Sequence, residues 1–144
     1  MLAVLIINPN PTQPSSQPQG MTLAEWLILV KAYSMAYKMD PNLMLALAET
    51  EGSKGNVRFR FGLYGRYWLP FGIDKNCKVK RPWTPGGNAE AGIKAIARHL
   101  HKCDGDLKAA LHLYNTGDRG KAFDNYYAKI IRLKRQNERE KVFD

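Results

Sequence analysis

Apolar residues return along this chain at intervals of three and four within separate blocks, a spacing that predicts helices rather than strands. The first block opens at Thr22, which forms a capping box with Glu25, and continues through Trp26, Val30, Tyr33 and Tyr37. In the second, Asp40 supplies a cap and Pro41 takes the first helical position, where its missing N–H costs nothing. From Leu43 to Ala48 that segment is apolar on every side, so it belongs inside a core rather than on a surface. It ends in Glu49 and Glu51, followed by Gly52, a good helix-ending residue. A third helix is expected from Asn88, read as its cap, with Ile93, Ile96, Ala97 and Leu100 on one face and a stop near Asp104-Gly105. Asp106 caps a fourth through Leu107, Ala110, Leu111 and Tyr114 to Gly117. A basic fifth helix is expected from about Lys121 to Lys141, with Tyr127, Ile130, Ile131 and Lys134 turned inward.

The pattern lapses twice. Residues 8–20 are almost entirely Pro, Gln, Ser, Asn and Thr, which cannot bury enough surface to fold. Residues 1–20 are therefore expected to form a flexible N-terminal segment, and residues 21–144 a single domain, mainly α. Residues 54–87 are punctuated by glycines and dense in aromatic rings, which predicts short turns or a small irregular strand pair. A loop of that length inside a small domain tends to carry function. Its rings are candidates for stacking on the apolar faces of sugars, with glycines letting backbone amides approach.

Composition narrows the classes. With 144 residues and 44% hydrophobic content, the chain can build a core without staples. Lys and Arg number 22 against 13 Asp and Glu, a net charge of +9 that suits an anionic partner: nucleic acid, an anionic membrane or a wall polymer. The Lys and Arg of the last helix read as a solvated face, and the interleaved Glu138 and Glu140 argue against a DNA-reading helix. Cys77 and Cys103 lack metal-ligand spacing and read as free thiols, with a disulfide open to them outside a reducing cytosol. His99 and His101 add no ligand pair, so neither a metal nor another cofactor is expected. The apolar run Leu2 to Ile7 is too short to span a bilayer and lacks the flanks of a secretory signal.

The candidate chemistry lies at the end of the oily helix. A carboxyl at the negative end of a buried helix is disfavoured as an anion by both the dipole and poor hydration. A glutamic acid so placed becomes a proton donor near neutral pH. The plain alternative is that Glu49 and Glu51 lie on an exposed last turn and serve solubility.

The order of motifs resembles the lytic transglycosylase domain of the goose-type lysozyme-like superfamily, over about residues 22 to 135. Glu51-Gly52-Ser53 matches the family's glutamate-serine at the end of the catalytic helix, with the serine displaced by one. Gly62-Leu63-Tyr64-Gly65-Arg66-Tyr67-Trp68 matches the glycines of Gly-x-x-Gly-Leu-Met-Gln, with Trp68 in the glutamine place; Pro70-Phe71-Gly72-Ile73 is a second placement. Asn88 to Leu100, with Gly92, matches the third pattern, and Gly105-Asp106-Leu107 through Ala110-Leu111 to Tyr114-Asn115-Thr116-Gly117 the fourth. Tyr126-Tyr127-Ala128-Lys129-Ile130 resembles the closing one. The departures at the glycine-rich motif are those of a divergent member, of a kind found in phages or mobile elements.

The resemblance implies a lysozyme-like helical fold and cleavage of the β-1,4 bond between N-acetylmuramic acid and N-acetylglucosamine in peptidoglycan. Glu51 would act as single acid and base, leaving a 1,6-anhydro ring. Tyr67, Trp68, Tyr114, Asn115 and Tyr126 would contact the sugar or the carboxyl. The alternative within the enzyme class is a muramidase, with Asp74 or Asp118 as the second carboxylate that hydrolysis usually needs. Outside it stands a non-catalytic basic module for wall polymer or DNA. The expected partner is the glycan strand, met by a monomer in the periplasm or cell wall, with no nucleic acid and the delivery route left open.

Overall fold

A computed structural model describes residues 23–52, 71, 77–82, 84–116 and 124–144. Five helices form among them: α1 (Leu23–Ala36), α2 (Pro41–Gly52), α3 (Pro85–Lys102), α4 (Leu107–Thr116) and α5 (Asp124–Arg139). No strand occurs among the described residues, and the chain is mainly α. Most of the segment read as a possible small β element, like residues 1–20 and Thr22 of the first capping box, lies outside them; residues 77–82 are turn and irregular backbone.

The central element is α2. The Asp40 carboxylate accepts the Asn42 N–H at 2.9 Å, and the Asp40 carbonyl takes the first helical bond from Met44. Residues Leu43 to Ala48 are all buried, as their unbroken apolar character demands. They are enclosed by α5 along one side and α1 along another, while α3 packs on α1 and α4. Trp26, Val30, Met44, Leu47, Ile93, Ile96, Leu111 and Ile130 form the fully buried centre.

One helix start differs from the sequence reading. Thr84, not Asn88, caps α3: its Oγ1 accepts the Gly87 N–H at 3.1 Å, and Pro85 occupies the first position. Asn88 is instead fully buried inside the helix. Its side-chain oxygen accepts the Phe71 N–H at 3.0 Å and its amide donates to the Phe71 carbonyl at 2.9 Å. Both polar groups of a backbone unit outside the helices are thereby satisfied in the core. One turn on, a Cβ at Gly92 would lie 2.1 Å from Phe71 Cγ, so only glycine admits the ring. Phe71 fills that notch and meets Trp26 with ring centroids 6.2 Å apart.

Asp106 caps α4 as expected, accepting the Ala109 N–H at 3.1 Å. In α5, Ile130 is fully buried and Tyr127, Ile131 and Lys134 are half-buried; the helix ends at Arg139, before Lys141. Helices α1, α3 and α5 share one ending. Lys38, Asp104 and Lys141 take left-handed backbone at φ 58°, 54° and 52°. The next residue then donates back five positions, Met39 to Ser34, Gly105 to Leu100 and Val142 to Asn137. Cys77 and Cys103 are half-buried free thiols. No described helix is long and apolar enough to cross a membrane.

Candidate functional site

Helices α2 and α5 run antiparallel, and three contacts fix their register. At the start of α2, Asn137 donates to the Asn42 carbonyl at 3.2 Å, and Lys134 lies 3.7 Å from Asp40. At its other end, Tyr126 in the first turn of α5 donates its hydroxyl to Glu51 Oε2 at 2.5 Å. Burial, then the Glu51 charge and the bond to it, then nearby Tyr114, push the Tyr126 phenol well above its ordinary value. The phenol keeps its proton, so it is the donor and the carboxyl the acceptor. Glu51 itself is half-buried, in the last turn of α2 after Thr50, whose hydroxyl bonds back to the Ala46 carbonyl at 2.9 Å.

A third element ends at the same place. Tyr114, in the last turn of α4, is half-buried and close enough to Tyr126 to act on it electrostatically. Its ring meets His99 of α3 edge-on, with centroids 6.2 Å apart and planes at 67°. The structure thus brings Glu51, Tyr114 and Tyr126 together from positions 63 and 12 residues apart in the chain. Asn115 follows Tyr114, half-buried, in the same turn. Tyr67 and Trp68 lie outside the described residues, as do Asp74 and Asp118.

The two glutamates of α2 have different surroundings. Glu49 is half-buried against the middle and end of α5. Burial raises its carboxyl above the usual carboxylate value; Asn137 and Lys129 pull it down, and Glu140 pushes it up. Its Oε1 is buried without a hydrogen-bond partner among the described residues. Glu90 of α3 is also a half-buried carboxylate with aromatic partners. Tyr37 donates to its Oε2 at 3.0 Å, and both Tyr33 and Tyr37 are raised, by burial first and by Glu90 next. That cluster ties α1 to α3.

Two residues at or beside the site were not singled out by sequence. His99 entered only as a possible metal ligand, yet it is buried and supports Tyr114. Asn137 gave no signal, because a polar residue between Gln136 and Glu138 reads as surface; in the structure it is 6% exposed and helps fix the α2–α5 register. Among the described residues, no group of three or more His, Cys, Asp or Glu side chains is placed to hold a metal ion.

What the arrangement offers chemically is a carboxyl whose orientation is set by a phenol, at the junction of three helix ends. No family model matches this chain, and no solved structure is a significant match to it.

Proposed function

We propose that the chain is a peptidoglycan lytic transglycosylase of lysozyme-like fold, with Glu51 as its single acid and base. The observation that carries this reading is the hydrogen bond from Tyr126 to Glu51. It joins the first and the last of the motifs that resemble the family, with Tyr114 of the fourth beside them. The third motif also supports it. Asn88 and Gly92 together hold Phe71, which favours the Pro70–Ile73 placement of the glycine-rich motif over the one around Gly62.

In this mechanism protonated Glu51 gives its proton to the glycosidic oxygen as the C1–O bond breaks. The substrate's N-acetyl group stabilises the positive charge at C1. The Glu51 carboxylate then takes the proton of the sugar's 6-hydroxyl, whose oxygen bonds to C1 and closes the 1,6-anhydro ring. The acid is regenerated and no water is consumed. Tyr126 holds the carboxyl in one orientation through both transfers, a geometric contribution of the kind that general acid–base catalysis requires. Tyr114 and Asn115 would orient the sugar, and Tyr67 and Trp68 would stack on it.

Purified sacculi provide the test. Glu51→Gln keeps size and removes the proton donor, so it is expected to fold like the wild type and to abolish release of soluble muropeptides. Lysis by that variant at the wild-type rate would remove Glu51 from the role.

A further inference from the structure

On its outer side, away from α2, helix α5 carries an open groove lined by Tyr127, Ala128, Ile131, Arg132, Arg135 and Arg139. The three arginines are exposed, and none is ion-paired with an acid among the described residues. At 1.5 Å rise per residue they span about 10 Å of helix in a row. The acids that break up the basic run in the sequence point elsewhere: Glu138 takes Lys134 at 2.7 Å, and Glu140 takes Gln136 at 3.1 Å. Lys108 of α4 adds a fourth positive charge, its ammonium 5.7 Å from the centre of the Tyr127 ring.

We infer that this groove docks a linear phosphodiester polymer without bases, of the poly(glycerol phosphate) class. A row of guanidinium groups with no acid partner among the described residues matches phosphates by paired N–H donors, and a linear array suits a chain of repeating charge. Two observations choose among polyanions. Single-stranded nucleic acid is held by stacking on open aromatic faces, and the groove's one ring is covered by the Lys108 ammonium. Stable seating on a membrane takes inserted apolar groups besides charge, and among the described residues the exposed large apolar ones, Ile28 and Met35, belong to α1. The inference is independent of Glu51 chemistry; a wall-cleaving enzyme would use such a surface to stay on its anionic wall.

The test measures binding of the full chain to fluorescent poly(glycerol phosphate), to oligo-dT of equal charge, and to vesicles of phosphatidylglycerol and phosphatidylcholine, across a salt series. The expected order is poly(glycerol phosphate) tightest. Replacing the three arginines together by glutamine should weaken that binding by about tenfold or more at low salt and flatten its salt dependence. Replacement by lysine should give an intermediate loss, since charge stays while the forked geometry goes. Undiminished binding by the glutamine variant, or equal or tighter binding of oligo-dT or vesicles, would overturn the inference. Glu51→Gln should bind the polymer like the wild type, so failure of the catalytic reading would appear as lost lysis chemistry with docking intact.

Discussion

At the scale of single residues, the phenol of Tyr126 has one task that substitution can isolate. Tyr126→Phe keeps the half-buried ring and removes the hydroxyl that donates to Glu51. A bond to a charged group is worth about 1.5–3 kcal/mol when fully realised, and Glu51 is partly exposed, so stability should fall by about 1 kcal/mol. If the hydroxyl orients the acid, muropeptide release should fall about tenfold or more through kcat, with KM little changed. An equal loss in KM alone would make Tyr126 a substrate contact instead. Glu49 makes an opposite kind of prediction. Its folded-state affinity for a proton is raised above the unfolded one, so the folded chain binds more protons just above the usual carboxylate range. Stability from this group is complete below that range and is lost as pH rises through the raised value. Denaturation midpoints of Glu49→Gln should therefore stay flatter than those of the wild type as pH rises above the usual carboxylate range. Parallel curves would show that Glu49 does not titrate differently on folding.

At the scale of elements, the helix ends offer the clearest margins. Lys38 sits at φ 58° in the position where glycine is favoured. Lys38→Gly should raise stability by about 1 kcal/mol in chemical denaturation, because the strain of a side chain there disappears. At Gly92 the sign reverses. Gly92→Ala drives a methyl into Phe71 and should cost about 1–3 kcal/mol. Asn88→Ala leaves the Phe71 N–H and carbonyl unsatisfied in the core and should be at least as damaging. The start of α3 shows where a sequence stops being readable. Thr84-Pro85 is a cap followed by a first-turn proline, the same signal as Asp40-Pro41, but Gly86 and Gly87 after it look like loop. Asn88 was a natural choice of cap because an amide that can bind free backbone groups at a helix end can equally clamp Phe71 across the core. Local pattern does not say which backbone is nearby.

Across the whole molecule, the regular apolar spacing located α1, α4 and α5 because packing demands one inward face, and Trp26, Leu111 and Ile130 obey it, whereas α2 was marked by its Asp40-Pro41 start and its unbroken apolar run. The acid–phenol contact was legible only through the order of motifs, since Glu51 and Tyr126 are 75 residues apart and nothing local links them. What separates Glu49 from Glu51 was not legible at all. Two residues on one helix turn differ only in what α5 presents to them, Asn137 and Lys129 to one and Tyr126 to the other. The charge of α5 is likewise a property of the assembled helix, since a run that alternates in sequence sets its arginines along the groove and turns Glu138 and Glu140 to Lys134 and Gln136.

The most direct test of the central claim is mass spectrometry of the sugars released from purified sacculi by the wild-type chain and by Glu51→Gln. Muropeptides ending in 1,6-anhydro-N-acetylmuramic acid from the wild type, and none from the variant, are the predicted result. Reducing ends in their place, or the same anhydro products from both proteins, would contradict a single glutamate working as acid and then base.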